Sequence, residues 1–299
     1  MIRKVAQIGP ATLMVSLPSK WAKKLGIKKG DEIDVVEEGN TIKVSTTKVG
    51  YQKGEINLET DQKFLKLFLN RMYRLGYDEV KINFTKKVDT KLISKEDLKY
   101  LLGFEIVSTS DKTCFIKNVT ETQQREFDSL FNRLFLMVHS LAREGYEYLE
   151  DKGITNLDNF TAIEDTINKL YNLCERILNK YGHQNQSRTN LLLQQNIMLE
   201  QIADAYYNLY ELILENKIKL NKETIKLLRD VEQYFMEIYS LFNKFKQDSL
   251  SKLYNKRKHL IKQLKEQISS GKGKEFIAFS QINVILKLIR ELEVSIIGF

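Results

Sequence analysis

The sequence predicts a multidomain α+β protein in three parts. These are a small β-β-α-β-β module over residues 1–49, a small two-layer α/β domain over 50–119 and an all-α bundle over 120–299. Three observations carry this. At about 100–200 residues per domain, 299 residues make two or three domains. Only two prolines occur, Pro10 and Pro18, both in the first twenty residues. Beyond Val119 the spacing of apolar residues changes from the alternation of strands to the three- and four-residue steps of helices.

Residues 2–8 and 12–17 read as two short strands around the turn Gly9-Pro10-Ala11. Pro18-Ser19 starts a helix through Leu25, with Ser19 as its N-cap and Gly26 where a left-handed residue ends it. Lys29-Gly30-Asp31 is a turn. Residues 32–37 and 41–45 alternate apolar and polar as strands joined by Glu38-Gly39-Asn40. A piece this small cannot bury enough apolar surface alone, so a dimer sharing its hairpins is expected, with Trp21 packing the helix on the strands.

In the second part, 54–58 reads as a strand. Thr60 or Asp61 opens a helix whose apolar face is Phe64, Leu67, Phe68, Met72 and Leu75, ending at Gly76. Residues 79–84 alternate as a strand, and Ser94 with Asp97 heads a second helix ending at Gly103. Residues 104–109 and 113–117 form a hairpin around Ser110-Asp111-Lys112.

From Thr120, which with Gln123 suggests a capping box, no proline interrupts the chain. One apolar stripe runs Phe127, Leu130, Phe131, Leu134, Phe135, Val138, Leu141, Ala142. A second runs Ile163, Ile167, Leu170, Cys174, Ile177, Leu178, and a third Leu199, Ile202, Tyr206, Leu209, Ile213. Breaks fall at 151–153, 182–185, 215–217 and 269–274, and the last helix covers about 276–297. Whether 221–269 is one helix or two is open, because 246–251 holds no strong breaker. Six helices with short links imply antiparallel packing.

A hydrophobic fraction of 42 % and a charged fraction of 29 % belong to a soluble globular chain. No stretch approaches ~18 uncharged apolar residues, and no apolar run follows Met1-Ile2-Arg3-Lys4, so neither a membrane span nor a signal peptide is expected. Two distant cysteines, Cys114 and Cys174, suit a reducing cytoplasm. The net charge is +8, and residues 1–50 hold nine Lys/Arg against five Asp/Glu. Residues 121–299 hold twenty-five against twenty-four. A basic module on a nearly neutral body points to the phosphates of nucleic acid. Catalytic motifs are lacking: Gly271-Lys272-Gly273-Lys274 does not have the spacing of a phosphate-cradling loop, and the three histidines are scattered. His139 reads as a satisfied core histidine, and an enzyme is not expected.

Arg3-Lys4-Val5, Gly9, Val15-Ser16-Leu17-Pro18, Trp21, Leu25-Gly26-Ile27 and Gly30-Asp31 form a string that resembles the AbrB/MazE (SpoVT-AbrB) family of swapped-hairpin DNA-binding domains. The resemblance implies a dimeric β-barrel of interleaved strands, binding double-stranded DNA through Arg3, Lys4, Lys20, Lys23 and Lys24. Pro10 stands where many such relatives have an arginine. With mostly lysines, contacts to phosphates are better supported than reading of bases.

The six helices resemble the PhoU family, built of two three-helix repeats, on the stretches Ile163-Glu164-Asp165-Thr166-Ile167-Asn168-Lys169-Leu170 and Leu199-Glu200-Gln201-Ile202-Ala203-Asp204. That implies one partial acidic site, Glu164, Asp165, Glu200 and Asp204, for a divalent or ferric metal ion; Glu200 and Asp204 are four apart, on one helix face. Asn168 replaces an expected acid, and the stretch from Asn255 to His259 is basic where a second site would fall. The order of the three parts, with Leu-Leu-Gly-Phe-Glu-Ile-Val at 101–107, resembles archaeal phosphate uptake regulators. The implied function is a cytoplasmic, homodimeric transcriptional regulator of phosphate uptake. The alternative is an adaptor on a phosphate transporter or sensor kinase, with the basic module only dimerising it.

Overall fold

The computed structural model describes residues 2–45, 51–58, 63–85, 93–120, 124–151 and 153–296. Thr60 and Asp61, expected to open a helix, and Gln123 of the expected capping box lie outside the described residues. The chain divides into two compact units, Met1–Gln52 and Lys53–Phe299.

In the first unit β1 (Ala6–Gln7) and β2 (Leu13–Met14) form a two-residue antiparallel ladder, closed by Ile8 N–H donating to Thr12 O at 2.8 Å. The strands are thus shorter than expected, and the flanking segments are extended without a ladder partner among the described residues. Helix α1 (Ser19–Leu25) follows. Pro18, not Ser19, is its N-cap, and no side chain caps it; proline's φ of −61° suits helix entry. Gly26 ends the helix at φ 68°, a left-handed conformation that a Cβ would strain. Asp31 accepts from Lys28 N–H at 2.8 Å, fixing the turn into β3 (Asp34–Glu38), which pairs antiparallel with β4 (Thr41–Ser45). The two ribbons are separate sheets, so the described residues of one chain form no closed barrel.

The second unit begins with a four-stranded sheet of order β5-β6-β8-β7: β5 (Lys53–Leu58), β6 (Glu79–Phe84), β7 (Phe104–Thr109) and β8 (Thr113–Asn118). β5 and β6 are parallel, joined across helix α2 (Lys63–Arg74), and the other pairs are antiparallel. Alternation puts Val80, Ile82, Cys114 and Ile116 on the buried face and Lys81 and Asn83 on the other. At Gly54 a Cβ would lie 2.0 Å from Met72 Cε and 2.8 Å from Tyr77 Cδ1, so a larger residue would have to displace both side chains.

α2 buries a different face from the one expected. Leu65, Leu69 and Tyr73 are in the core, whereas Phe64, Leu67 and Phe68 are exposed. Both stripes have helical spacing; the Leu65–Leu69–Tyr73 stripe wins because Tyr73 stacks edge-on against Phe104 and donates to Leu102 O at 2.9 Å. The expected helix at Ser94 is a single 3-10 turn, Lys95–Leu98, with the Ser94/Asp97 capping box formed.

The remainder is a bundle of six helices: α3 (Phe127–Asp151), α4 (Asp158–Tyr181), α5 (Thr189–Asn216), α6 (Lys222–Asn243), α7 (Ser249–Ser270) and α8 (Glu275–Ile296). The segment 221–269 is thus two helices, parted where Lys244 leaves the helical conformation at φ −145° and ψ 92°. α3, α4 and α5 pack around one another. α6, α7 and α8 do likewise, and α3–α6 and α5–α8 join the two sets. The three stripes read above line this core, with Leu130 and Ile163 at its edge.

A buried ionic network ties the sheet layer to α4. Arg176, 1 % exposed, donates to Asp78 Oδ1 at 2.9 Å, Tyr77 O at 2.7 Å and Tyr73 O at 3.0 Å, and Lys180 also pairs with Asp78. Both cysteines are free and buried, and burial pushes the Cys114 thiol up to about 11 and raises that of Cys174. His139 is satisfied, by Glu232 at 2.7 Å, but it is half-buried and not in the core as expected.

Candidate nucleic-acid interface

Lys20, Lys23 and Lys24 stand at i, i+3 and i+4 of α1, so they share a face, and all three are exposed. The opposite side, Trp21, Ala22 and Leu25, is half-buried. Lys23 and Lys24 in the last turn also complement the negative end of the helix dipole. Arg3 and Lys4 lie in the extended segment before β1, both exposed. None of the five forms an ion pair among the described residues, so their charge is available to a polyanion. Gly9 at φ 85° turns the β1–β2 hairpin, and Pro10 O accepts from Gln7 Nε2 at 3.4 Å; the tip carries no cation.

The apolar residues of this unit are as informative as its lysines. None of its described side chains is buried. Ile2 is 98 % exposed, Leu13 71 % and Ile42 67 %, with Val5, Ile8, Met14, Val15 and Val35 also in water. Apolar surface at this density is the mark of an interface.

The acids of the helical part are arranged differently from the expected set of four. Asp165 accepts from Tyr100 O–H at 2.5 Å and faces Lys99 at 3.5 Å, both from the sheet layer. Glu164 accepts from Asn168 at 2.5 Å, and burial raises its carboxyl, with Asp204 and Asp165 adding to the shift. Burial pushes Glu200 up to about 7, helped by the charges of Asp204, Glu164 and Glu175 and opposed by Arg74. Asp204 is raised by burial. Glu175, which sequence reasoning missed, joins this group and faces Arg74 at 3.5 Å and Arg71 at 3.7 Å. Among the described residues no three His, Cys, Asp or Glu side chains form a group able to hold a metal ion. Of the four acids expected to share a site, Asp165 is engaged by Lys99 and Tyr100 of the sheet layer, whereas Glu164, Glu200 and Asp204 stand close enough for their charges to act on one another. Asp165 and Glu175 of this group pair with cations of the sheet layer and of α2.

Sequence averaging also hid the extent of the basic stretch noted at Asn255 to His259. Residues 244–274 hold ten Lys/Arg against two Asp/Glu, a net +8, so the nearly neutral helical part is a basic strip set in an acidic remainder. Windowing by helix instead of by domain would have found it. Among the described residues no helix is long and apolar enough to cross a membrane.

Residues 7–52 match the family described as antidote-toxin recognition MazE, bacterial antitoxin. The match includes Lys20, Lys23 and Lys24 and leaves Arg3 and Lys4 outside. No curated protein and no solved structure is significantly similar to the chain.

Proposed function

We propose that this chain is a DNA-binding transcriptional regulator. It acts in the cytoplasm as a homodimer, by binding and not by catalysis. The observation that carries this reading is the exposed, unpaired lysine face of α1 inside the segment that matches the MazE family. Two copies of the module would pair their unladdered extended segments, cover Val5, Val15 and Ile42, and close the barrel that one chain leaves open. Pairing would also double the lysine face, so that two α1 helices address one duplex. Lysine is a flexible point charge, so binding would be driven by phosphate contacts and would have modest sequence discrimination.

The remaining parts would form a sensor or partner-binding body. The likeness of the six helices to the PhoU family supports a role in phosphate homeostasis. A second reading is favoured by the matched family's description: the module belongs to an antidote whose remaining residues hold a toxin.

Anisotropy of labelled duplex DNA, titrated with salt, tests the first reading. Binding at low salt is expected to weaken linearly in log affinity against log salt. The Lys20→Ala/Lys23→Ala/Lys24→Ala variant is expected to lower that slope by about 0.9 for each phosphate contact removed. Negligible binding at low salt, or a slope unchanged by the triple substitution, overturns it.

A further inference from the structure

A cavity of about 580 Å³ opens where α6 hands over to α7, within the size range of small-ligand sites. Four lysines line it: Lys244 and Lys246 from the turn after α6, Lys252 and Lys256 from the first two turns of α7. Lys252 and Lys256 are four apart and share a helix face. Only one acid, Glu237, is among the lining residues, and it is held by Lys256 at 2.6 Å. Lys244, Lys246 and Lys252 form no ion pair among the described residues. The walls therefore carry a net +3, in a pocket small enough that the charges repel one another until an anion arrives.

We propose that this cavity binds a phosphate chain, either free pyrophosphate or triphosphate or the phosphate tail of a nucleotide. Three features select this chemistry. The net +3 of the walls matches an anion of about that charge. Lysines supply point charges that follow a flexible chain of phosphates, whereas a planar carboxylate would favour the fork of arginine. The hydroxyls of Ser249 and Ser240 stand among the lysines as further partners. Ser249 Oγ makes no hydrogen bond among the described residues and can donate, while Ser240 Oγ donates to Met236 O and retains its acceptor side. The lining includes no aromatic ring, so a nucleobase would find no stacking platform, and the phosphate chain supplies the recognition. The site shares no residue with the α1 lysines, so it stands or falls separately from DNA binding.

Calorimetry of the full-length chain with sodium tripolyphosphate, ATP and sodium sulfate tests this. Tripolyphosphate is expected to bind at least tenfold more tightly than sulfate and to raise the thermal midpoint. Equal affinity for ATP and tripolyphosphate identifies the free chain as sufficient, and tighter binding of ATP identifies a nucleotide-borne chain; both support the site. Lys244→Gln/Lys252→Gln removes both charges while keeping a polar end on each side chain, and is expected to lose tenfold or more in affinity. Lys262→Gln/Lys265→Gln removes equal charge from α7 away from the cavity and is expected to lose less than twofold. Equal losses in the two pairs, or sulfate binding as well as tripolyphosphate, overturn the proposal in favour of a generic basic surface. Displacement of tripolyphosphate by mixed-sequence duplex DNA, with affinity lost on substituting Lys262 and Lys265, overturns it in favour of a nucleic-acid face.

Discussion

Between residues 2 and 45 no described side chain is buried, whereas Lys53–Phe299 holds two cores, one between the sheet and α2 and one inside the six-helix bundle. The first unit has the glycine turns and the glycine-ended helix of a folded module but leaves Ile2, Leu13 and Ile42 in water. The second buries most of its apolar side chains internally, leaving Phe64, Leu67 and Phe68 of α2 exposed, and adds the Arg176–Asp78–Lys180 network between its layers. Local rules thus suffice to shape a module of about fifty residues, and the proposed dimer would cover the apolar surface it leaves in water.

The chain's one tryptophan, Trp21, lies in the first unit, so its fluorescence reports that unit while far-UV circular dichroism reports the helices. The largest expected effect is Arg176→Ala, which leaves Asp78 buried beside Lys180 alone. It should cost about 3–5 kcal/mol in urea unfolding followed by circular dichroism. The Trp21 transition should stay where it was; joint movement of both signals would erase the contrast. Next comes dilution. For a dimeric module, a hundredfold drop in chain concentration removes about 2.7 kcal/mol of apparent stability from the Trp21 transition and leaves the helical one unmoved. A concentration-independent Trp21 midpoint would show a module that is complete in one chain.

The smallest effect concerns pH and the second unit alone. Glu200 titrates near 7 in the folded chain against an ordinary 4.5, so between these values the folded state holds a proton that the unfolded state has lost. Stability therefore falls as pH rises from about 4.5 to 7. Glu200→Gln should recover about 2 kcal/mol at pH 8, allowing for partial solvent screening, and nothing at pH 4.5. A gain that is equal at both pH values would assign the effect to packing instead of charge.

Much of the helical architecture was legible where a stripe is single: Phe127, Phe131, Leu134, Phe135, Val138, Leu141 and Ala142 leave α3 one way to face inward. α2 was misread because it carries two apolar stripes, and only Tyr73's contacts with Phe104 and Leu102 choose between them. The α6–α7 break was invisible because residues 244–248 contain neither glycine nor proline. The α1 lysines were singled out by the family resemblance, and their spacing then puts them on one face. The engagement of Asp165 by Lys99 and Tyr100 could not be read from spacing, since those residues are some sixty-five positions apart. The lysine cavity was hidden for a different reason: acids elsewhere in the bundle cancelled its charge in the domain total.

The two buried thiols have a practical chemical consequence. Cys114 sits in the sheet core and Cys174 in the bundle core, each kept protonated by burial and so a poor nucleophile. Maleimide reagents should pass over both in the native protein. A cysteine introduced on the surface would then be the sole reactive site, ready to carry a spin label or dye without any prior removal of native residues. Placed in the first unit, one label per chain would become a pair on association, and the distance between the two could be read directly.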